Sequence, residues 1–123
     1  MSMKGKVIVS AFWTKFFSWG KAQAITIFPF IFLKHPAYKK DKVLINHENI
    51  HIRQALELLI IPFYFFYLTE FMFRLIQYRH FFKAYLNISF EREAFQNEEN
   101  LYYLRERKVF SSFKYLRSWK EKA

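Results

Sequence analysis

Between residues 43 and 58 the side chains of Leu44, His47, Glu48, His51, Ala55 and Leu58 recur at steps of three and four. That spacing puts them on one side of an α-helix and scatters them over both faces of a strand. Pro62 has no amide hydrogen and clashes with the preceding turn, so the helix is expected to end or kink near Ile61. The rest of the chain must arrange itself around that rod.

Upstream, residues 24–33 (AITIFPFIFL) read as a strand, and Pro29 confines it to a sheet edge or a bulge. Residues 34–42 read as a loop, and residues 7–19 as a weak helix. Downstream, residues 63–82 form an aromatic helical stretch and NISF at 87–90 is a turn with Ser89 as a capping option. A third helix is expected over 90–107, with glutamates in its first turn, and a fourth, amphipathic one over 109–120. The expectation is one α+β, predominantly helical domain over residues 1–123, with a core at about 22–105, a basic N-terminal arm and an amphipathic C-terminal helix. Seventeen Phe against two Gly and three Pro exclude a disordered or linker-rich chain.

The net charge of +10 is uneven. Residues 1–42 hold eight lysines against Asp41, residues 101–123 hold seven basic residues against two glutamates, and the centre is mildly acidic. Three of the four histidines lie in that centre. The longest apolar run, residues 58–68, is bracketed by Glu57 and Glu70 and falls well short of the roughly 20 residues needed to cross a bilayer. A buried helix is the first reading of it, and contact with a membrane interface the competing one. No secretory signal is legible, so a cytoplasmic protein is expected, with peripheral association at the inner face of the membrane as the variant of that reading.

His47-Glu48-Asn49-Ile50-His51 matches H-E-x-x-H inside the predicted helix. Imidazoles at i and i+4 can share one metal ion, and Glu48, about 100° round the helix from His47, can reach a water on that ion as general base. With no cysteine, any metal must be held by His and carboxylate. A catalytic zinc takes three protein ligands, and the stretch Phe90-Glu91-Arg92-Glu93-Ala94 returns 40 residues after His51 at a predicted helix start. Glu91 or Glu93 can close the site, but not both, because i and i+2 point about 200° apart.

These residues resemble a family. The His47-Glu48-x-x-His51 helix followed by Glu91-x-x-Ala94 is similar to the gluzincin metallopeptidases, and the layout over about residues 22–105 to the minimal members called minigluzincins. The run 46–54 also resembles small uncharacterised bacterial proteins with an N-H-E-x-I-H-x-R-Q motif. The resemblance implies a zincin-like fold with the motif helix packed beside a glutamate-bearing helix, Zn2+ on His47, His51 and Glu91, and Glu48 as the catalytic base. It also implies a cleft-rim strand whose residues Ile27, Phe28, Phe30 and Ile31 pair with an extended substrate. Phe95 stands where the E-x-x-A-[DN] pattern has Asp or Asn, so support for the motif histidines must come from elsewhere or be absent. No motif assigns an oxyanion stabiliser; Tyr102 and Tyr103, on the helix expected after Glu91, are the candidates, against a packing role for both.

His35 and His80 read as a loop and a helix-end histidine, Glu57 and Glu70 as surface or helix-pairing charges, and Glu98 as a solvated residue or a support to the site. Arg53 and Gln54 have no derivable role, and Phe63 to Phe66 reads as core. The function expected is a zinc-dependent metallopeptidase acting on a peptide or protein substrate. The alternative is a non-catalytic zincin-like interaction module associated with a membrane surface. A basic adaptor using Lys108, Lys114, Arg117, Trp119 and Lys120 ranks third, for an anionic membrane surface rather than nucleic acid, because no nucleic-acid-binding motif is present.

Overall fold

A computed structural model describes residues 4–18 and 22–116. In chain order the elements are β1 (Lys6–Val9), α1 (Ala11–Ser18), β2 (Ala24–Ile27), β3 (Phe30–Leu33), a 3-10 turn (Pro36–Lys40), α2 (Lys42–Glu57), α3 (Ile61–Tyr78), α4 (Phe81–Leu86), α5 (Ser89–Asn97), α6 (Tyr103–Glu106) and a second 3-10 turn (Ser111–Tyr115). The class is α+β and mostly helical.

The apolar stretch 24–33 is not one edge strand but a hairpin. Pro29 sits in its two-residue connection, where a missing N–H breaks no ladder, after a cis Phe28–Pro29 peptide. The sheet order is β1-β3-β2, with β1 parallel to β3 (Lys6 opposite Phe30) and β2 antiparallel to it (Ala24 opposite Leu33). Phe30 and Ile31, expected to pair with a substrate, are therefore on the central strand with both edges occupied. Of the stretch 7–19, residues 7–18 likewise divide into the end of a strand and a helix, because Val7 and Val9 face the core while Lys6 and Ile8 face out; Trp19 lies outside the described residues. The N-terminal arm is thus partly a sheet strand. It is tied down by the Gly5 N–H donating to Asn49 Oδ1 (2.7 Å) on α2, and a Cβ at Gly5 would lie 2.9 Å from the Ile31 side chain.

One face of the sheet packs on α2. Ala24, Ile31 and Leu33 close over Ile52, with Val7, Val9, Tyr38, Leu44 and Ile45 around them. Phe32 points to the other face and meets Phe17 of α1, ring centroids 5.9 Å apart. A second cluster, Ala55, Phe63, Ile88 and Phe90, joins α2, α3 and α5, and Phe28 packs against both clusters.

α2 starts where Asp41 accepts from the Leu44 N–H (3.0 Å), a side-chain cap on an otherwise unpaired donor. It stops four residues before Ile61, through Leu59 (φ 64°) and Ile60 (φ 69°), both left-handed without glycine. Pro62 therefore begins α3 rather than ending α2; at the second helical position its missing N–H is not needed. The two helices meet at 113°. The stretch 63–82 divides at Arg79 (φ 55°), after which the His80 imidazole accepts from the Lys83 N–H (3.1 Å) to start α4.

α5 is shorter than the helix expected over 90–107. The Asn97 side-chain amide donates to the Glu93 carbonyl (2.8 Å), a local bond that competes with the helical ladder, and the chain turns before α6. The expected tail helix is a 3-10 turn over Ser111–Tyr115; residues 117–120 lie outside those described. The run 58–68 is not a buried helix either, since only Phe63 and Arg74 of α3 are buried while Phe65, Phe66 and Leu68 face outward. Among the described residues no single helix is long and apolar enough to cross a membrane.

The C-terminal segment is clamped by Arg107, whose side chain is fully buried. Its Nη1 donates to Glu57 Oε2 at the end of α2 (2.5 Å), and its Nε and Nη2 both donate to Glu93 on α5. Burial pushes the Glu93 carboxyl up, but the Arg107 guanidinium overrides this and holds it below its ordinary value of 4.5. The pairing therefore stabilises fully above pH 4.5 and fades as pH falls through the lower folded value. Arg107→Met strands a buried carboxylate, so it is expected to lower unfolding free energy at pH 7 by about 3–5 kcal/mol. Adding Glu93→Gln should recover part of that loss, read by urea denaturation.

Candidate metal centre

The i, i+4 spacing on α2 does what helical geometry requires: His47 and His51 lie side by side, ring centroids 5.0 Å apart, against the first turn of α5. Glu91 lies between them. Its Oε1 is 3.1 Å from Nε2 of each imidazole, and one donor atom from each of the three residues falls within 4.8 Å of the others. All three side chains are buried.

The far side of each ring decides what this cluster can hold. His47 Nδ1 is 2.7 Å from Glu98 Oε1, and His51 Nδ1 is 2.7 Å from Gln54 Oε1. The Gln54 amide nitrogen donates to Glu93 Oε1 (2.9 Å) and to the Phe90 carbonyl (3.1 Å), which leaves its oxygen facing His51 as an acceptor. Both rings must therefore carry hydrogen on Nδ1. In the neutral tautomer each Nε2 then presents a lone pair to Glu91 Oε1, and three acceptors converge with nothing between them. A proton on each ring resolves the repulsion, and so does a cation.

Protons leave their mark on the titration. Burial pulls the His51 imidazolium down, but the charge and hydrogen bond of Glu91 reverse this and take it up to about 9. His47 is raised in the same way, with burial opposing and the Glu91 hydrogen bond prevailing. Burial pushes Glu91 up, but the His51 charge and hydrogen bonds from both imidazoles hold it well below the carboxylate range. A divalent ion fits the same atoms: tetrahedral zinc with bonds of about 2.0–2.1 Å separates its ligands by roughly 3.3 Å, close to the 3.1 Å seen. Two nitrogens and one carboxylate oxygen are a donor set that zinc accepts.

The second Glu91 oxygen is also held. The Tyr67 hydroxyl on α3 donates to Oε2 (2.5 Å), and Tyr85 on α4 lies close enough to feel the charge of the same carboxylate. Burial first and the Glu91 charge second raise both phenols, so they stay protonated donors. Glu48 is buried beside the imidazoles, and its Oε1 accepts from the Thr26 hydroxyl (2.6 Å) on β2.

Several residues expected at the site lie elsewhere. Glu93 faces Arg107, so Glu91 alone is the third donor. The Tyr103 hydroxyl donates to Glu93 Oε2 (2.6 Å), and Tyr102 is exposed under the Arg105 guanidinium; neither phenol is part of the cluster. On the strand, Lys34 N–H donates to Gln23 C=O, which sets the antiparallel alternation so that Ile27 directs its backbone groups to β3. The Phe28 N–H is already taken by the Tyr64 hydroxyl (2.8 Å). Ala24 and Thr26, not Ile27 or Phe28, turn their backbone groups away from β3, and the Thr26 carbonyl already accepts from the Tyr64 hydroxyl (3.3 Å). His35 and His80 lie away from the cluster, in the loop and helix-cap positions expected of them.

Gln54, Tyr67 and Tyr85 complete the site without having been singled out for these roles, and Glu98, read as a solvated residue or a support to the site, is the support. Gln54 is one turn after His51, and Glu98 lies two turns after Glu91 on the same side, so both carried a spacing signal. Phe95, at the position of the missing Asp or Asn, packs its ring on His47 at 4.5 Å instead.

No protein-family model, curated protein or solved structure matches the chain.

Removing a partner that orients a metal-binding imidazole weakens metal affinity by about 10- to 100-fold. Glu98→Ala, a change at a partly exposed residue, is expected to lower zinc affinity in that range without altering the circular dichroism spectrum. In metal-stripped protein the raised His51 value means that its pairing stabilises fully below pH 6.5 and is lost as pH rises through about 9. Thermal midpoints of the stripped protein should fall over that interval, and saturating zinc should flatten the fall.

Proposed function

We propose that this chain is a zinc-dependent hydrolase of peptide bonds, built as a minimal zincin-like domain of gluzincin type. The observation that carries the reading is the convergence of His47 Nε2, His51 Nε2 and Glu91 Oε1, with both Nδ1 atoms committed to acceptors on the far side. Zinc bound there supplies a Lewis acid and a water of lowered pKa. His47, His51 and Glu91 hold the ion. Glu48 takes the proton from the attacking water and later returns it to the leaving amine. Thr26 fixes one Glu48 oxygen and leaves Oε2 for that transfer.

Thr26 has a second role in this reading. Its side chain meets Glu48 while its N–H, with the backbone groups of Ala24, faces the edge of β2 away from β3, so a substrate strand pairing there would displace the Tyr64 hydroxyl from the Thr26 carbonyl and lie next to the base. Tyr67 and Tyr85, rather than Tyr102 and Tyr103, are the phenols beside the cluster, and Tyr67 would stabilise developing negative charge by turning its one hydroxyl hydrogen from Glu91 to the substrate oxygen. The deep burial of all three donors favours, as a second reading, an ion with a purely structural role in a non-catalytic module.

Elemental analysis after dialysis is expected to give one zinc per chain, lost in His47→Ala and in Glu91→Ala. Glu48→Gln should keep zinc and fold while hydrolysis of a mixed peptide library falls by about 10² or more. A filled site without cleavage selects the structural module, and cleavage undiminished by Glu48→Gln identifies a contaminant.

A further inference from the structure

α3 is built inside out for a helix in water. Its two charged residues point into the fold: Arg74 is 4% exposed, with Nη2 donating to Glu70 Oε2 (3.3 Å) and to the Leu116 carbonyl (2.9 Å). Glu70 in turn accepts from the Ser89 N–H (2.9 Å) and hydroxyl (2.6 Å). Ile61, Phe65, Leu68, Met72, Phe73 and Ile76, each 53–75% exposed, line the opposite arc. At 3.6 residues per turn no charged residue of α3 falls on that arc. The apolar stripe runs about 22 Å along the helix. It continues onto α4 through exposed Phe81 and Phe82, where Arg79 and Lys83 are also exposed.

We propose that α3 and the start of α4 lie in the plane of a lipid bilayer containing anionic headgroups, with the outward arc among the acyl chains. Charge selects this occupant. Protein partners meet an apolar core through a polar rim that makes hydrogen bonds, whereas this stripe stays free of charge over the whole length of α3, as hydrocarbon requires. The basic residues gather at its end, on a chain of net charge +10, where anionic headgroups would meet them. α1 repeats the inversion on a smaller scale: Thr14 is buried while Phe12, Trp13 and Phe16 are exposed beside Lys15. α3 alone is not long and apolar enough to span a bilayer, and α2, which with it makes a bent apolar pair, is packed inside the fold, so the in-plane orientation is the one proposed.

The test is co-sedimentation of the full chain with vesicles of phosphatidylcholine alone and of phosphatidylcholine with phosphatidylglycerol, with and without saturating zinc. The protein is expected to pellet with the mixed vesicles, less with the neutral ones, and equally in both metal states, so failure of the metal reading leaves this result intact. Leu68→Gln/Met72→Gln/Ile76→Gln, three side chains on the exposed arc, should reduce partitioning at least about tenfold with unchanged circular dichroism. Should the triple variant fail to fold, Phe73→Trp made in a Trp13→Phe/Trp19→Phe/Trp119→Phe background replaces it: its fluorescence is expected to be quenched by acyl-brominated lipid. Vesicle binding that survives the triple substitution, or unquenched fluorescence of Phe73→Trp in the background without other tryptophans, overturns the proposal. So does a parent that stays in the supernatant, whether monomeric or as a dimer in sedimentation velocity that the triple variant abolishes, the latter assigning the face to a second copy.

Discussion

Two carboxylates, Glu91 and Glu93, are buried within one turn of α5, and an ionised carboxylate in a protein interior is tolerated only with partners on its oxygens. Because i and i+2 diverge by about 200°, one set of partners cannot serve both. Glu91 takes the imidazoles of α2 and the phenol of α3; Glu93 takes the guanidinium of Arg107 and the hydroxyl of Tyr103. Gln54 belongs to both sets, accepting from His51 while donating to Glu93. The register of α2 against α5 follows from satisfying these groups together, and the candidate metal centre and the C-terminal clamp are two outcomes of that one demand.

What was legible in the sequence had a period or a fixed spacing. The 3.6-residue recurrence over 43–58 located α2, the i, i+4 histidines shared a face, and the i, i+2 divergence separated Glu91 from Glu93 before any coordinates. What stayed hidden depended on signals the chain does not carry. The hairpin turns through Phe28 and Pro29 with no glycine, so Pro29 read as the mark of an edge strand. The break after α2 uses Leu59 and Ile60 in left-handed conformation, residues that announce no turn, and Pro62 drew the boundary toward itself. Tyr67 and Tyr85 reach Glu91 only because α3 leaves α2 at 113° and α4 follows it back, an angle no local pattern encodes.

α3 joins the metal centre to the surface through a single turn. Tyr67 hydrogen-bonds Glu91 on the inward side while Leu68, the next residue, is exposed on the outward side. A helix with its side chains is about 10–12 Å across, so whatever covers the outward arc lies about one helix diameter from the buried carboxylate. Sequence alone read the aromatic wealth of this helix as core. Its burial pattern instead follows the placement of Glu70 and Arg74, which turn inward to Ser89 and Leu116, with Phe65, Phe66 and Phe73 turned out.

Arg107 also changes how the chain is closed on itself. One guanidinium ties residue 107 to residue 57 and to residue 93, closing segments of 50 and 14 residues in a chain without cysteine. Loop closure of this kind is the constraint usually ascribed to a disulfide, whose survival depends on the redox potential around it. A cation that keeps its proton at any pH the fold survives, held by one buried and one partly buried carboxylate, makes a cross-link that thiol exchange has no means of opening.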